Sequence, residues 1–405
     1  MTAIVAVVPF GAVSADRDGR PGRWARQLAR RLVERFAGSA TIDVRPVFLV
    51  AMPEGAAETG YLVFGSTPDA ALAAEYGRSL GAAYALTGTY REGDGRRLEA
   101  SLVDVAASRE VATFGQDVAG GELPEVEPAL ARWLAASVGA AADRDVVAPA
   151  AANEDAYGGL LEGMDAEVDA TLLRPSDAAG ARAATARAAE RYAAAIRADP
   201  ASRAIAERIL VLGASAIETE EQALALPALE ALAEAGPRSW RAHYMLGEVR
   251  RTAGDVAGAI VAFEHSDALQ RLRGADVLAL ARLYVAAGAP AVAAARLRRV
   301  IEGEADAAIV ATARRLRLAL VDASLERDLE TAGRIAVSGD RSRAAEAEAA
   351  FARVLAVEPE LWEAHFGRGL LARLRGDSAA AEASFRRAVQ IDPEAAALVE
   401  ELEKS

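Results

Sequence analysis

The chain has 405 residues, a length that predicts two to three domains. Apolar residues make up 52% of it and aromatic residues only 5%, so the apolar share is mostly alanine, leucine and valine, which favours closely packed helices over strands. The absence of cysteine excludes disulfides and thiol catalysis. The sequence shows no apolar run that could span a bilayer and no export signal at its start, so we predict a cytoplasmic protein.

The charged residues and histidines of the chain limit which partners it can bind and which reactions it can catalyse. The formal net charge is −13 and both halves are acidic, so we expect no non-specific binding to nucleic acid or anionic lipid. Lys404 is the only lysine among 46 basic residues, and no histidine occurs before His243. These facts disfavour a catalytic lysine, most histidine chemistry and a metal site in the first half. We therefore predict no cofactor, no bound metal and no enzymatic activity.

The first 145 residues predict an α/β domain. Short apolar runs at 3–9 and 41–50 predict buried strands. Between them, residues 23–37 predict a helix whose core stripe recurs every four residues. The stripe consists of Trp24, Leu28, Leu32 and Phe36. A second helix is predicted at 68–80. Its packed face is expected to hold Leu72, Tyr76 and Leu80.

The remainder of this domain predicts a hairpin, a strand and a helix. Apolar and polar residues alternate through Ala83–Arg91 and Arg96–Val105, and the Asp-Gly turn at 92–95 is a strong hairpin signal. A further strand is predicted at 109–118, and a helix at 124–139 closes the domain.

The helix predicted at 23–37 is rich in arginine. Its basic residues are Arg23, Arg26, Arg30, Arg31 and Arg35. Such a face could bind an anion. A solvated face beside acidic residues is the interpretation that we favour.

Three motifs in this half follow the order found in a known family. They are the strand Ala6-Val7-Val8-Pro9-Phe10, the block Gly81–Arg91 and the strand Arg97–Asp104. Together they resemble the TolB amino-terminal-like domain, which also occurs in CsgG-like proteins, over about residues 3–120. The resemblance implies a mixed sheet packed on helices that serves protein contacts rather than catalysis.

The second half predicts a helical repeat array. Two segments, which begin at Trp240 and Trp362, carry the same residues at the same offsets: His at +3, Gly at +7, Gly-Asp at +14, Ala at +19 and Phe at +23. They resemble the tetratricopeptide repeat, a 34-residue unit of two antiparallel helices. Glycine and alanine let the helices approach closely, and Gly-Asp turns the chain and caps the second helix. Phe263 and Phe385 are expected to fill the space between neighbouring repeats.

Weaker copies of the pattern continue towards the carboxyl terminus. One unit begins at Gly274, 34 residues after Trp240. Another begins near Ala308, but its second helix comes about 20 residues later than the repeat length requires. This delay predicts an insertion of about 20 residues near 325–342, which we interpret as an extra contact for a partner. Residues 394–403 predict a capping helix.

Two further units are predicted before Trp240. One begins near residue 153 and has a long loop, Arg174 to Gly180, between its helices; the other, at 202–236, is degenerate. The fold class is therefore an α+β multidomain chain. A sandwich-like TolB-type α/β domain at 1–145 is followed by an all-α tetratricopeptide-repeat solenoid of five to six repeats at 153–405. Alanine-rich Ala140–Ala152 is the predicted boundary.

The repeat resemblance implies where a partner would bind. In this family the first helix of each repeat lines the concave face, with inward residues at +1, +4, +8, +11 and +12. The candidate partner-binding residues are Arg241, Tyr244, Glu248, Arg251, Arg282, Glu363, Phe366, Leu370 and Arg373. Their mixture suits a peptide or helix ligand, unless a neighbouring helix covers them. With one lysine and one asparagine, the chain lacks the carboxylate clamp that some family members use for chaperone tails.

The three histidines are expected to be structural. His243 and His365 occupy equivalent positions in two repeats, which places them too far apart to share a metal ion. A packed, hydrogen-bonded side chain is the interpretation that we favour for both. His265 is predicted to lie on the surface.

These observations favour a non-enzymatic scaffold or adaptor. The repeat array would bind a protein segment on its concave face, and the α/β domain would dock a second partner or itself. A self-assembling structural protein and a regulatory or sensory subunit of a signalling system are the alternatives. We expect no nucleic-acid partner and no membrane insertion, whereas homo-oligomerisation stays open.

Overall fold

The computed structural model describes residues 2–13, 20–47, 50–51, 60–61, 68–92, 95–120, 122–140, 148–303 and 306–404. They form two compact units, residues 1–253 and residues 254–405, each of which is treated by itself below. The boundary predicted near Ala140–Ala152 lies within the first unit, and residues 141–147 lie outside the described part. The division at that point stays a prediction. None of the described helices is both long and apolar enough to cross a membrane.

A mixed sheet forms the amino-terminal part of the first unit. Its described strands are β1 (Ala3–Val7), β2 (Gly11–Val13), β3 (Ile42–Pro46), β6 (Tyr84–Glu92), β7 (Arg96–Asp104) and β8 (Arg109–Val118); β4 (Val50–Ala51) and β5 (Gly60–Tyr61) pair separately. The order is β3-β1-β6-β7-β8, and β2 also pairs with β6. β1 is parallel to β3 and β6, whereas β6, β7 and β8 are antiparallel, which confirms the predicted hairpin. Two of its turn residues, 93 and 94, lie outside the described part.

Helices cover both faces of this sheet. They are α1 (Arg20–Arg35), α2 (Ala70–Ser79) and α3 (Leu123–Ser137). Tyr90 of β6 contacts Trp24 of α1, with 6.5 Å between ring centroids, whereas Ala85 of the same strand packs in the cluster beneath α2. Because these two positions are five residues apart, their side chains point to opposite faces. The predicted core stripe of α1 is confirmed, since all four of its residues are buried.

The packed face of α2 agrees with the prediction only in part: Tyr76 and Leu80 pack against the buried cluster, but smaller residues form the buried centre of the face. Its buried residues are Ala73, Ala74 and Gly77, and a Cβ on Gly77 would collide with Val105. Leu72, Tyr76 and Leu80 are only half-buried. Small residues face the sheet because they let the helix axis lie close to it, which moves the larger side chains to the rim.

The carboxyl-terminal part of the first unit consists of paired helices. They are α4 (Glu154–Leu173), α5 (Ala178–Ala198), α6 (Arg203–Glu218), α7 (Gln222–Ala235) and α8 (Trp240–Thr252). α4 and α5 meet where Gly163 lies under the ring of Tyr192, so a Cβ at that glycine would collide with the ring. The loop between them is shorter than predicted, because Asp177 caps α5 by accepting a hydrogen bond from the Gly180 amide.

The second unit contains helices and one 3₁₀ turn. They are α9 (Val256–Leu269), α10 (Gly274–Ala286), α11 (Pro290–Gly303), α12 (Ala307–Val321), α13 (Ala323–Ser338), the 3₁₀ turn Arg341–Arg343, α14 (Ala344–Val357), α15 (Trp362–Leu374), α16 (Ser378–Ile391) and α17 (Ala395–Lys404). α17 corresponds to the predicted capping helix. The Gly-Asp turns adopt the expected form: Gly254 and Gly376 have φ of 81° and 80°, and the aspartate after each accepts an amide hydrogen bond at the start of the next helix.

The predicted insertion near 325–342 is wrong. These residues form α13, whose apolar side chains share one buried cluster with α14 and α15. Gly339, with φ of 69°, and Asp340 stand at +14 from Leu325, as in the other repeats. A complete repeat therefore runs from Leu325 to Leu361, lengthened by the three residues of the 3₁₀ turn. The residues before it, 308–324, are half a repeat and contribute a single extra helix, α12.

The phenylalanine at +23 is packed differently at the end of the array. Phe263 and Phe351 are fully buried, whereas Phe385 is half-buried. Phe351 lies against Gly367 of the next repeat, where a Cβ would collide with its ring. Phe385 lies against Gly369 of its own repeat, with 2.5 Å between its Cε1 atom and a Cβ built there. Only the short helix α17 follows, so the last phenylalanine does not fill an inter-repeat core as predicted.

Phe351→Ala should lower the free energy of unfolding by about 3–5 kcal/mol, because it opens a cavity in a closed core. Phe385→Ala should cost less, about 1–3 kcal/mol, because its ring already contacts water. Urea unfolding followed by circular dichroism would measure both. Equal losses for the two variants would contradict the difference in packing.

Candidate functional site

Four of the candidate binding residues lie on α8 in the first unit. Arg241 is exposed, and its guanidinium lies 5.6 Å from the ring centroid of Trp240. Tyr244 is half-buried and meets Trp240 edge-on, with 6.4 Å between centroids. Glu248 and Arg251 form an ion pair at 2.6 Å, and this hydrogen bond raises the pKa of Arg251. The helix thus presents a cation and an aromatic edge beside a neutralised pair.

The other candidates lie in the second unit. Arg282 is exposed on α10. On α15, the half-buried Phe366 lies 6.2 Å from Trp362 and 5.4 Å from Phe385, measured between ring centroids. Leu370 packs against the buried cluster of α13 and α14. The candidates therefore fall into two sets, one in each compact unit.

The tryptophan and the aromatic residue four positions later repeat their geometry. Trp240 and Tyr244 meet at 67°, and Trp362 and Phe366 meet at 69°, both edge-on. The edge-on contact is the arrangement that the ring quadrupoles favour. Equivalent helices in the two repeats therefore hold an aromatic side chain in the same orientation.

A neighbouring helix, α17, accepts a hydrogen bond from one of the candidate residues, Arg373. The guanidinium of Arg373 donates a hydrogen bond to the Leu402 carbonyl on α17 at 2.7 Å. This bond satisfies a carbonyl in the last turn of α17 and places a positive charge there, where the helix dipole favours it. Arg373 nevertheless stays exposed, so its place on a binding face remains a prediction.

Glu363 is the one candidate with an unsatisfied polar atom. It is half-buried, and its Oε2 atom has no hydrogen-bond partner within the described part of the chain. Burial raises the pKa of this carboxyl, and Asp392 adds to the effect while Arg315 opposes it. Such a group can accept a hydrogen bond from an incoming amide.

α13 adds a surface that the sequence analysis missed. Val337 is 77% exposed, the largest exposure among the large apolar residues described. It borders a shallow, mostly apolar depression. The lining residues are Glu330, Gly333, Arg334, Val337 and Ser338. The signal that could have found it is Gly339-Asp340, which marks α13 as the first helix of a repeat.

The histidine interpretation is confirmed. His243 and His365 are half-buried, and their Nε2 atoms lie 3.2 Å and 2.8 Å from the carbonyl oxygens of Pro237 and Pro359. Each ring thus fixes the loop that precedes the first helix of its repeat. His265 is exposed as predicted. The described residues contain no cluster of three or more acidic or histidine side chains that could hold a metal ion.

The described arginine side chains of α1 do not form a solvated face, which corrects the favoured prediction; the side chain of Arg23 lies outside the described part. Arg26 binds Asp165 of α4 through two hydrogen bonds, at 3.0 and 2.8 Å. Arg35 binds Glu127 of α3, and Arg31 lies 3.3 Å from the same carboxylate. Sequence analysis missed these contacts because the partners lie about a hundred residues further along the chain.

Glu127 is the centre of this network. It is fully buried, and it accepts a hydrogen bond from the Tyr157 hydroxyl of α4 at 2.5 Å. Burial opposes its ionisation, but Arg31, Arg35 and the tyrosine hydroxyl outweigh that effect and hold the pKa of Glu127 below its usual range. The carboxylate therefore stays charged and joins α3 to α1 and α4.

The repeat pattern also appears in comparisons with known proteins. Residues 210–266 and 339–396 match the family model of the tetratricopeptide repeat. The chain contains tetratricopeptide repeats. The first stretch includes α8 and the second includes α15, and these two helices carry all of the candidate residues except Arg282. No curated protein matches the chain.

Several solved structures resemble part of the chain. YrrB, described as a tetratricopeptide-repeat protein with an unusual peptide-binding site, is 20% identical, with 48% of this chain and 92% of that chain covered and a TM-score of 0.27. MamA is 16% identical, with 47% of this chain and 93% of that chain covered and a TM-score of 0.29. A tetratricopeptide-repeat protein from Parabacteroides merdae is 13% identical, with 56% of this chain and 79% of that chain covered and a TM-score of 0.31. At these identities and TM-scores, the similarity does not indicate that this chain binds what those proteins bind.

Glu127→Gln should lower the free energy of unfolding by about 3–5 kcal/mol, because it removes the buried negative charge that faces the guanidinium groups of Arg31 and Arg35. The loss should shrink as the pH falls below about 4, since a carboxyl with a lowered pKa stabilises the fold only while it is ionised. Urea unfolding at several pH values would measure this.

The matched control is Glu99→Gln. Glu99 pairs with Arg91 and Arg97, and all three side chains are at least 41% exposed, so its loss should cost under about 1 kcal/mol. If the two variants unfold alike, Glu127 does not hold the unit together.

Proposed function

We propose that the chain is a non-enzymatic scaffold or adaptor that binds a segment of a partner protein through its repeat helices. The observation that carries the proposal is the tetratricopeptide-repeat match over two stretches, because stacked repeats of this kind generally serve protein–protein contacts. Tyr244 and Phe366, held alike in two repeats, are proposed as aromatic contacts. The cytoplasmic location and the role of the sheet region as a second docking domain stay predictions.

The binding face proposed for the second unit includes α13 as well as α10 and α15. Counted from Leu325, the inward positions +8 and +12 are Gly333 and Val337, and both border the apolar depression. Leu374 is the +12 residue of α15, and its Cδ1 atom lies 3.8 Å from a Cβ built on Gly339 at the end of α13. Leu374 therefore lies beside the end of α13, and we propose an apolar strip that runs from Val337 to Leu374.

The charges on this face favour an acidic ligand. Arg282 on α10 is exposed, and the exposed Arg334 on α13 borders the apolar depression. Glu363 offers one acceptor for a backbone amide. We therefore propose a segment with an apolar anchor flanked by acidic residues, bound by contact with Val337 and Phe366.

The test uses the full-length chain as bait in native lysate. Truncation between residues 145 and 153 would separate Arg35 and Glu127 from Tyr157, so isolated halves would expose a buried charge. Val337→Asp should reduce capture of the partner by roughly tenfold or more, because it places a charge in the apolar strip. Quantitative mass spectrometry of the captured proteins would measure the change.

Val261→Asp is the matched control. Val261 is a 53% exposed valine on α9, the second helix of its repeat, so it lies off the proposed face. Capture should be unchanged with this variant. Equal capture by the two variants would remove the proposed face. Recovery of the bait alone would favour the self-assembly alternative, which light scattering would then decide.

A further inference from the structure

An open cavity of about 650 Å³ lies in the first unit, beside the arginine network. α1 forms one wall and α6 another, and residues 148–150 complete it. Its charged lining residues are Arg31, Arg35, Arg203, Arg208, Glu34 and Glu207. The scaffold proposed above makes no use of this cavity.

The network behind the cavity contains more positive than negative groups. Its guanidinium groups belong to Arg26, Arg30, Arg31, Arg35 and Arg208. Its carboxylates belong to Glu34, Glu127, Asp165 and Glu167. Among the described residues, the network therefore holds five guanidinium groups and four carboxylates. An excess charge held away from water is costly unless an ion of opposite sign approaches it.

Two of the arginines show this excess directly. Arg31 is only 7% exposed, and its Nε atom has no hydrogen-bond partner within the described residues. Burial, followed by repulsion from Arg30 and Arg31, lowers the pKa of Arg208 to about 9. One buried donor of Arg31 is thus unsatisfied and the charge of Arg208 is disfavoured, although both side chains also pair with carboxylates.

We propose that this cavity binds a small multivalent oxyanion, such as the phosphate groups of a phosphorylated small molecule. Arg31 and Arg208 supply buried charge, and Arg203 closes over the ligand from the rim. Guanidinium groups match phosphate oxygens through paired hydrogen bonds, so several of them around one cavity favour a multiply charged ligand over chloride. Glu207, which pairs with Arg203 at 2.7 Å, competes with the ligand for that arginine.

The test is isothermal titration calorimetry of the full chain with pyrophosphate, with inorganic phosphate and with chloride as the comparison, at constant ionic strength. We expect saturable binding of one pyrophosphate, weaker binding of phosphate and none of chloride. Arg203→Gln should weaken pyrophosphate binding by roughly tenfold. Glu207→Gln should strengthen it, because the competing carboxylate is removed.

Arg203 is suitable for substitution because its side chain is 83% exposed, so the fold should tolerate the change. Arg353→Gln is the matched control: Arg353 is also exposed and ion-paired, with Asp328 at 2.7 Å, but lies in the second unit. Binding should be unchanged in that variant. Absence of saturable pyrophosphate binding, or equal affinity of the Arg203→Gln and Arg353→Gln chains, would overturn the proposal.

Discussion

The first unit depends on a fully buried carboxylate, that of Glu127, held between two guanidinium groups and a tyrosine hydroxyl. A buried ion pair is stable only where every charge finds a partner, and here the partners come from three helices. Arg31 and Arg35 come from the helix on the sheet, and Tyr157 comes from the first repeat helix. The sheet and the first repeats therefore share one electrostatic core, and a break in any member leaves a charge stranded.

Local patterns in the sequence predicted most elements of secondary structure. The strand at 109–118 and the hairpin before it were found because alternation and turn residues are local signals. The role of the α1 arginines was not found, because Arg26 and Asp165 are 139 positions apart and no local pattern links them. The face of α2 was predicted only in part because size suggested Leu72 for the core, whereas close approach to the sheet selects Ala73 and Gly77.

The candidate binding face was predicted only in part. The helices of the two clearest repeats were placed correctly, and their histidines and glycines pack as expected. α13 was missed because the 3₁₀ turn shifts Phe351 by three residues and breaks the offset pattern, although Gly339-Asp340 marks the repeat. The inference that large residues at +23 are core fails for Phe385, because the ring packs against its own repeat and stays half-buried.

Helix α12 links the two ends of the repeat that follows it. Arg314 and Arg317 bind Glu360 and Glu358, which lie at the far end of the repeat that runs from Leu325 to Leu361. In an ordinary solenoid each unit contacts only its neighbours, so the array can fray one unit at a time. Fraying of this repeat would instead strand the buried carboxylate of Glu358, which is 2% exposed. Residues 307–361 should therefore open as one cooperative block. The backbone amides in the middle of the second unit should then be protected from hydrogen exchange together, which the similarity of the repeat sequences alone does not suggest.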